Sequence, residues 1–600
     1  MEKLAHTFSK MAGILNKPAV YFSALILCFS FSTQALYAEG SGKSIKNYQR
    51  IIPLSSPVYT EMDRLYLLAG KSRPSTARPW SADEALALLE LLPDFENANE
   101  AEPEAADSTA AAPAAPSTHT DRQTDWQTVK TQSLSIVKAE IASGNEKTGE
   151  GKADYRITKT LTLEALYKAN DDRSEWEHGY EERKALFSMP VEAWFSKNLY
   201  STLELTIKEE YAAITDLDNN FLNVPSSLTE LDWYFPFRAF VSIGGEHWNI
   251  QAGRDQASWG QGVTGNMLLS DYSEYYNLIR VTTYWDKFKY SAVYIGLDPW
   301  LTAEEKAIDD AETADDNGLA VRYENFGDLY KAFFGHRVEF RLRENLSLSL
   351  SEALIYGNKY INITELNPVF ILHNVFTPEY SNAIMSLEAD YTPLRGLNLY
   401  MQFVMDEFQV PGYEEEETRP GATGLLSGLT YVRPLEKGYL TLKGEAAMTE
   451  PYLYNRWHPL TRFTNRRRIW STVLDSYEYI NKPIGYEAGP DAVIMYASAG
   501  FERPGRFSAS LDARYSLKGE MNSSLDEPDS YDTGVEASRL DILSGTVEKE
   551  LAAGLHGTLK PALWLTLSSD IYWINIENYD NVSGRRINDL EIAVSAGISF

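Results

Sequence analysis

From Arg156 to its last residue the chain alternates apolar and polar positions with a period of two. The final segment shows this most clearly. Leu590, Ile592, Val594, Ala596, Ile598 and Phe600 fall on one face of a strand, and Ala593, Ser595, Gly597 and Ser599 on the other. Successive side chains of a strand point to opposite sides, so this strand has one wholly apolar face. In 397–408, Leu399, Met401, Phe403 and Met405 oppose Asn398, Tyr400, Gln402 and Asp406. In 332–343, Phe334, Val338, Phe340 and Leu342 oppose Arg337, Glu339, Arg341 and Arg343. An arginine facing hydrocarbon costs about 2–4 kcal/mol near the midplane, so the charged face belongs to an interior where opposite signs can pair. Trp564, Tyr572 and Trp573 fit aromatic belts at the two interfaces.

About eighteen such segments are expected between 156–168 and 588–600, an even number as single-chain bacterial barrels require. Tight connections (Lys197-Asn198, Gly244-Gly245, Asp286-Lys287, Glu344-Asn345, Pro504-Gly505) alternate with long ones (213–236, 298–331, 357–380, 450–490, 518–542). If Phe600 ends at the periplasmic side, every tight turn falls there too. The expected fold is all-β: a transmembrane antiparallel barrel of about 18 strands over 156–600, its outer face on outer-membrane lipid. Its closing strand, ending in the aromatic Phe600, is expected to be read by the barrel assembly machinery.

The first 155 residues follow other patterns. Lys3, Lys10 and Lys17 precede an apolar run, Ala19 to Phe31, and small residues follow. This is a secretory leader over 1–38, cleaved after Ala38 or, alternatively, Ala35. The one cysteine, Cys28, lies inside it, so the mature chain has no disulfide or thiolate chemistry. A small periplasmic helical domain is expected over 39–95. Val58, Met62, Leu65 and Leu68 recur at helical spacing, and Ser81 with Glu84 forms a capping box ahead of a leucine-rich run. Residues 96–124, rich in Ala, Pro, Glu, Ser and Thr at their start, read as a low-complexity linker. Residues 125–155 form a periplasmic segment or plug, with 125–143 readable as helix or strand.

Composition narrows the partners. The formal net charge of −30 argues against nucleic acid. It leaves an anionic glycan open, because local charge matters more than the sum. After the leader no run of about twenty apolar residues occurs, so no transmembrane helix is expected.

Several stretches resemble the capsule assembly protein Wzi family. They are Gly253-Arg254, Ser258-Trp259-Gly260-Gln261-Gly262 and Asn266-Met267-Leu268-Leu269-Ser270, then Gly335-His336-Arg337-Val338-Glu339-Phe340 and Ser351-Glu352-Ala353-Leu354-Ile355-Tyr356-Gly357. Asn367-Pro368, Asp406-Glu407-Phe408 and Gly485-Tyr486 with Gly489-Pro490-Asp491-Ala492 continue the series, and Ile52 to Leu92 is similar to the family's helical leader. The linker at 96–120 departs from the family. The resemblance implies an eighteen-stranded barrel with a periplasmic helical part, acting at the cell surface to attach or organise capsular polysaccharide.

Candidate chemistry is sparse. Glu352, Asp406 and Glu407 are acids near strand ends that could serve glycoside hydrolysis, but lumen charges balancing arginines, or solvated strand ends, account for them far more readily. His336 and His373 show no metal spacing, and neither a catalytic residue nor a cofactor is expected. Arg337, Glu339, Arg341 and Asp406 are expected as lumen charges. Arg466-Arg467-Arg468 with Arg462, Trp457 and Trp470 form one basic aromatic cluster. Guanidinium groups pair with carboxylate or phosphate and indoles stack on sugar rings, so this loop is either an anionic-glycan contact or is tied down onto acidic neighbours. Two functions follow: a non-catalytic barrel binding surface polysaccharide at the outer membrane, or a porin-like solute channel.

Overall fold

The computed structural model describes residues 48–92, 119–142, 153–170, 172–173, 175–210, 221–225, 231–312, 330–357, 381–407, 422–456, 458–471, 476–522 and 541–600. Eighteen antiparallel strands close into a barrel. In chain order they are β1 (Asp154–Ile157 and Thr160–Lys168, interrupted at Thr158 and Lys159), β2 (Phe187–Ser196), β3 (Leu199–Ile207), β4 (Ala239–Gly245), β5 (Trp248–Asp255) and β6 (Tyr276–Trp285). Then come β7 (Phe288–Leu297), β8 (Lys331–Arg343), β9 (Leu346–Gly357), β10 (Ser381–Leu394), β11 (Leu397–Glu407) and β12 (Ala422–Leu435). The last are β13 (Gly438–Thr449), β14 (Ala492–Arg503), β15 (Phe507–Lys518), β16 (Glu548–Ala562), β17 (Leu565–Glu577) and β18 (Arg586–Ser599). β18 closes the ring on β1 with Ile598 opposite Leu161 and Val594 opposite Ala165. Closure removes the free edges that an open sheet would present.

The faces follow the alternation. On β8, Leu342 is 56% exposed and Phe340 44%, whereas Arg337 is 1% exposed. Val594, Ala596 and Ile598 of β18 face outward, like Leu163 and Leu567 opposite Ala596. Tyr572 departs from the expected belt. It pairs with Gly554 and Glu591 on the inner face, while its neighbour Trp573 is exposed outside, because adjacent strand residues cannot share a face. Glu352 is likewise not a lumen charge. It stands opposite His336 on the outer face, with Glu352 Oε2 and His336 Nε2 3.3 Å apart.

The tight turns gather at one end of the barrel and the long loops at the other. The Gly244-Gly245 turn falls slightly later than the sequence suggests. Both glycines belong to β4, and the reversal occurs at Glu246 and His247, the latter in the left-handed region at φ 66°.

The N-terminal residues enter the barrel rather than standing apart from it. Helix α1 (Pro57–Leu68) starts at the Ser56 cap and α2 (Ala82–Glu90) at Ser81, whose hydroxyl accepts from Glu84 N–H at 3.1 Å. Only half of the expected capping box forms, because the Glu84 carboxylate turns to Lys289 of β7. Residues 125–142 are helix: α3 (His119–Ala142) begins within the stretch expected as linker and packs Val137 and Ile141 against Met62, Leu65 and Trp80. The leader and most of the linker, with His373, Asn367-Pro368 and Phe408, lie outside the described residues.

Candidate functional site

Three layers fill the lumen. The first is the plug at the tight-turn end, which the inner wall holds through charged pairs. The Thr76 and Ala77 N–H groups donate to Glu339 Oε1 at 3.2 and 3.1 Å. Arg337 donates to Glu339 at 3.0 Å, to Glu388 Oε2 at 3.0 Å and to Thr76 Oγ1 at 2.7 Å. Lys289 pairs with Glu84, and Arg50 pairs with Glu192 at 2.8 Å. Arg341 lies over the Tyr66 ring of α1 at 5.3 Å. The lumen charges Arg337, Glu339 and Arg341 are therefore where the strand alternation placed them, and they serve as the plug's sockets. A buried pair of this kind is a poor source of net stability but is damaging to break from one side.

The second layer is an apolar core toward the long-loop end. The loop between β5 and β6 turns inward and carries Trp259, Met267, Leu268 and Leu269, all at most 1% exposed. They pack on Phe333, Ile355, Val404 and Leu426 of the wall and on Tyr454, Phe463 and Ile484 of a later loop. Ser258–Trp259 also pairs with Ala77–Arg78 of the plug, which ties the two layers together. Asp406 sits at this level and accepts from Asn382 Nδ2 at 3.2 Å and from Tyr454 N–H at 3.3 Å. It is an inner-face residue, as its strand position requires.

The third layer is a cap made by the hairpin Thr464–Ser471 and Ser476–Pro483. It carries the basic cluster. Arg466 donates to Glu305 Oε1 at 2.8 Å and to Asn481 Oδ1 at 2.6 Å, and Arg462 reaches the same Glu305 at 3.4 Å. Glu305 belongs to α4 (Ala303–Glu312). Arg467 pairs with Asp232 and with Glu274 at 3.2 Å. The structure thus brings Arg462, Arg466 and Arg467 together and engages all three with carboxylates, which is the geometry of a loop fastened to acidic neighbours. Burial raises the Glu305 carboxyl, but the Arg466 bonds and the Thr302 N–H outweigh it and hold it below the usual range. Glu274 is lowered likewise: burial opposes, and Lys482 and Arg467 prevail. Arg468 differs. Its guanidinium lies 3.9 Å from the Trp300 ring and 4.2 Å from the Tyr477 ring. Trp470 pairs in register with Tyr477, and Trp457 lies outside the described residues.

Between plug and cap, along the inner faces of β12 to β17, a chamber of about 850 Å³ remains. Asp63, Arg64 and Arg73 form its floor, and Ser498, Ser508, Ser510 and Ser516 with Tyr496 and Tyr572 line its wall. A loop between β1 and β2, carrying Trp176 to Glu182, folds in from above. Several pairs hold this loop: Arg173 donates to Glu591 at 2.8 Å, Glu177 receives Arg514 at 2.8 Å, and Glu181 receives Lys482. Sequence patterning missed the chamber. Alternation could have put Tyr496, Ser498, Asp512 and Arg514 on an inner face, but the loop residues that close the space have no period to read. Tyr486 lay in a stretch the sequence singled out, as did the floor residues Asp63, Arg64 and Arg73 within Ile52 to Leu92, but nothing there marked them as chamber lining.

A ring of eighteen antiparallel strands, apolar outside and polar and filled within, is an outer-membrane β-barrel. No protein-family model matches the sequence, nor does any curated protein. Among solved structures, the chain is similar to Escherichia coli Wzi, described as an outer-membrane protein involved in group 1 capsule assembly and a carbohydrate-binding β-barrel. The TM-score is 0.53, with 12% identity, 92% of this chain and 99% of that chain covered. Pseudomonas aeruginosa OprD matches at TM-score 0.35 and 11% identity over 74% of this chain and 94% of its own. An anion-selective porin from Comamonas acidovorans matches at TM-score 0.30 and 10% identity, covering 75% and 100%. At 12% identity the likeness to Wzi is one of fold.

Proposed function

We propose that this protein is a Wzi-like, non-catalytic outer-membrane barrel that binds or organises polysaccharide at the cell surface. In this reading the long loops face outward, the plug lies at the periplasmic mouth, and the strand ending in Phe600 is the one the barrel assembly machinery engages. The observation that carries the reading is the filled lumen: the plug and the inward loop leave a chamber lined by hydroxyls and aromatic rings above a charged, locked floor. Hydroxyl pairs and aromatic faces are the groups that hold sugar rings, and a plug locked by buried ion pairs suits retention better than flux. The exposed Tyr477 ring beside Arg468 and Trp300 supplies a stacking edge at the outer end. The resemblance in sequence motifs and the match in fold to Wzi support the same reading.

A second reading, a solute channel, is favoured by the chamber's size alone. Planar-bilayer recording of the purified protein separates the two. An anchor gives no large steady current, and a sustained current of porin size would sink the proposal.

A further inference from the structure

One corner of the chamber holds positive charge that the protein leaves unanswered. Arg73, on the segment between α1 and α2, and Lys443, on the inner face of β13, both line the space, and neither makes an ion pair among the described residues. Thr430 of β12 brings them together. It accepts from Arg73 Nη2 at 2.6 Å and stands opposite Lys443 in the strand register. Ser498 of β14 stands opposite Lys443 on the other side. Arg73 is 8% exposed, yet its Nε has no hydrogen-bond partner. The Thr441 hydroxyl, two positions from Lys443 on the same strand face, has none either. Buried polar groups are ordinarily hydrogen-bonded, so unmet donors gathered at a cavity wall mark a place for an acceptor.

The carboxylates around this corner are engaged elsewhere. Asp63 receives Arg78 on both oxygens at 3.0 Å. Glu445 accepts the Val263 and Thr264 N–H groups at 2.7 and 2.8 Å and the Tyr400 hydroxyl at 2.6 Å. Asp390 accepts the Arg73 backbone N–H at 2.8 Å and Asn398 Nδ2 at 3.0 Å. The chamber's other guanidinium groups are already matched: Arg64 with Glu61 and Glu502, Arg173 with Glu177 and Glu591, Arg514 with Glu177 and Glu550. Two lining carboxyls without an ion pair among the described residues, Glu182 and Glu487, lie on loops. Burial raises both, Glu182 to about 7, which weakens their opposition to an anion.

We propose that Arg73 and Lys443, with the Thr441 and Ser498 hydroxyls, form an oxyanion subsite at the foot of the chamber, which takes a carboxylate, phosphate or sulfate substituent of a saccharide chain. This rests on the polysaccharide reading above and adds the charge class of the ligand. A guanidinium offers a planar fork and an ammonium a point charge, and hydrogen bonds from either to an oxyanion are stronger than those to a sugar hydroxyl. An uncharged chain would leave both cations without a counter-charge.

The test uses the full-length protein in detergent at low ionic strength. Its probes are length-matched labelled oligomers: oligogalacturonate, phosphomannan and dextran sulfate beside neutral dextran and mannan. At least one anionic oligomer is expected to bind about tenfold or more tighter than every neutral one. Lys443→Gln, which breaks no hydrogen bond or ion pair among the described residues, should narrow that gap to about threefold or less. Lys443→Gln with Arg73→Gln should close it. Lys518→Gln, at another cation of the lining, should leave the gap in place. Neutral oligomers binding as well as anionic ones would overturn the subsite and leave the polysaccharide reading standing. A gap untouched by Lys443→Gln, or narrowed as much by Lys518→Gln, would overturn the assignment to Arg73 and Lys443. Binding of no oligomer at all would remove the polysaccharide reading and this inference together.

Discussion

Lys289, on the inner face of β7, donates to the Glu84 carboxylate of α2 across 205 positions of sequence. Its ammonium also donates to Ser75 Oγ at 2.9 Å and to the Ala77 carbonyl at 2.7 Å, so one side chain holds both the helix and the strap that leads to it. Nothing local to α2 calls for this arrangement. The capping box would have turned Glu84 back onto its own helix.

Removing the Lys289 charge leaves Glu84 buried without a partner. Lys289→Met should weaken plug docking by about 3–5 kcal/mol, and Lys289→Met with Glu84→Leu should recover most of the loss. Hydrogen exchange of residues 57–68 and 82–90 reads this directly. Equal protection in the single variant and the parent would show that the pair does not hold the plug.

Arg337 is the second anchor, shared among Glu339, Glu388 and Thr76. Arg337→Ala should expose the strap at residues 71–81 to chymotrypsin after Trp80, a site otherwise fully enclosed. Arg337→Lys should rescue only partly, because an ammonium cannot reproduce a forked pairing with two carboxylates. Full rescue by lysine would reduce the role to simple charge.

The cap should loosen in acid. Glu305 and Glu274 titrate below the ordinary glutamate value when folded. A depressed carboxyl contributes stability that is complete above its unfolded value, 4.5 here, and is lost as the pH falls through the lower folded value. Hydrogen exchange across 464–483 should therefore stay slow from pH 7 to about 5 and accelerate below about 4. Acceleration between pH 7 and 5 instead would point to a different group.

Phe600 pairs its backbone with Lys159 in both directions, N–H to O at 2.9 Å and O from N–H at 3.0 Å, while its ring is 69% exposed. Deleting Phe600 removes those two bonds at the seam and the exposed aromatic with them. The deletion should lower the yield of heat-modifiable, membrane-inserted barrel in cells, whereas Phe600→Tyr should not. Since the substitution keeps the backbone pairing and an aromatic, equal losses in both variants would argue against ring recognition.

The membrane-spanning wall was legible because its physics is periodic. A strand with lipid outside and water or protein inside must alternate, so Arg337 and Glu339 could be assigned inward and Phe340 and Leu342 outward from position alone. Where the reading failed, periodicity was overruled or absent. Tyr572 was grouped with Trp573 by residue type, although adjacent residues face opposite ways. Glu352 was read by its charge as a lumen residue, yet its strand position sets it outside with His336. The arginine run could be read two ways, because a guanidinium fits a sugar acid and a protein carboxylate equally well.

What the amino-acid sequence determined by itself was therefore local and repeating: the alternating strands, the single long-loop end, and helices α1 and α2, the second with its Ser81 cap. Each depends on the spacing of neighbours along the chain. What only the tertiary structure decided was where aperiodic segments go and which charge meets which. The β5–β6 loop folds inward because Trp259 and Leu268 find apolar walls there, Arg466 meets Glu305 across 161 positions, and Arg467 meets Asp232 across 235. Pairings at such separations are fixed by the closed ring bringing distant residues together, and no pattern in the chain encodes them.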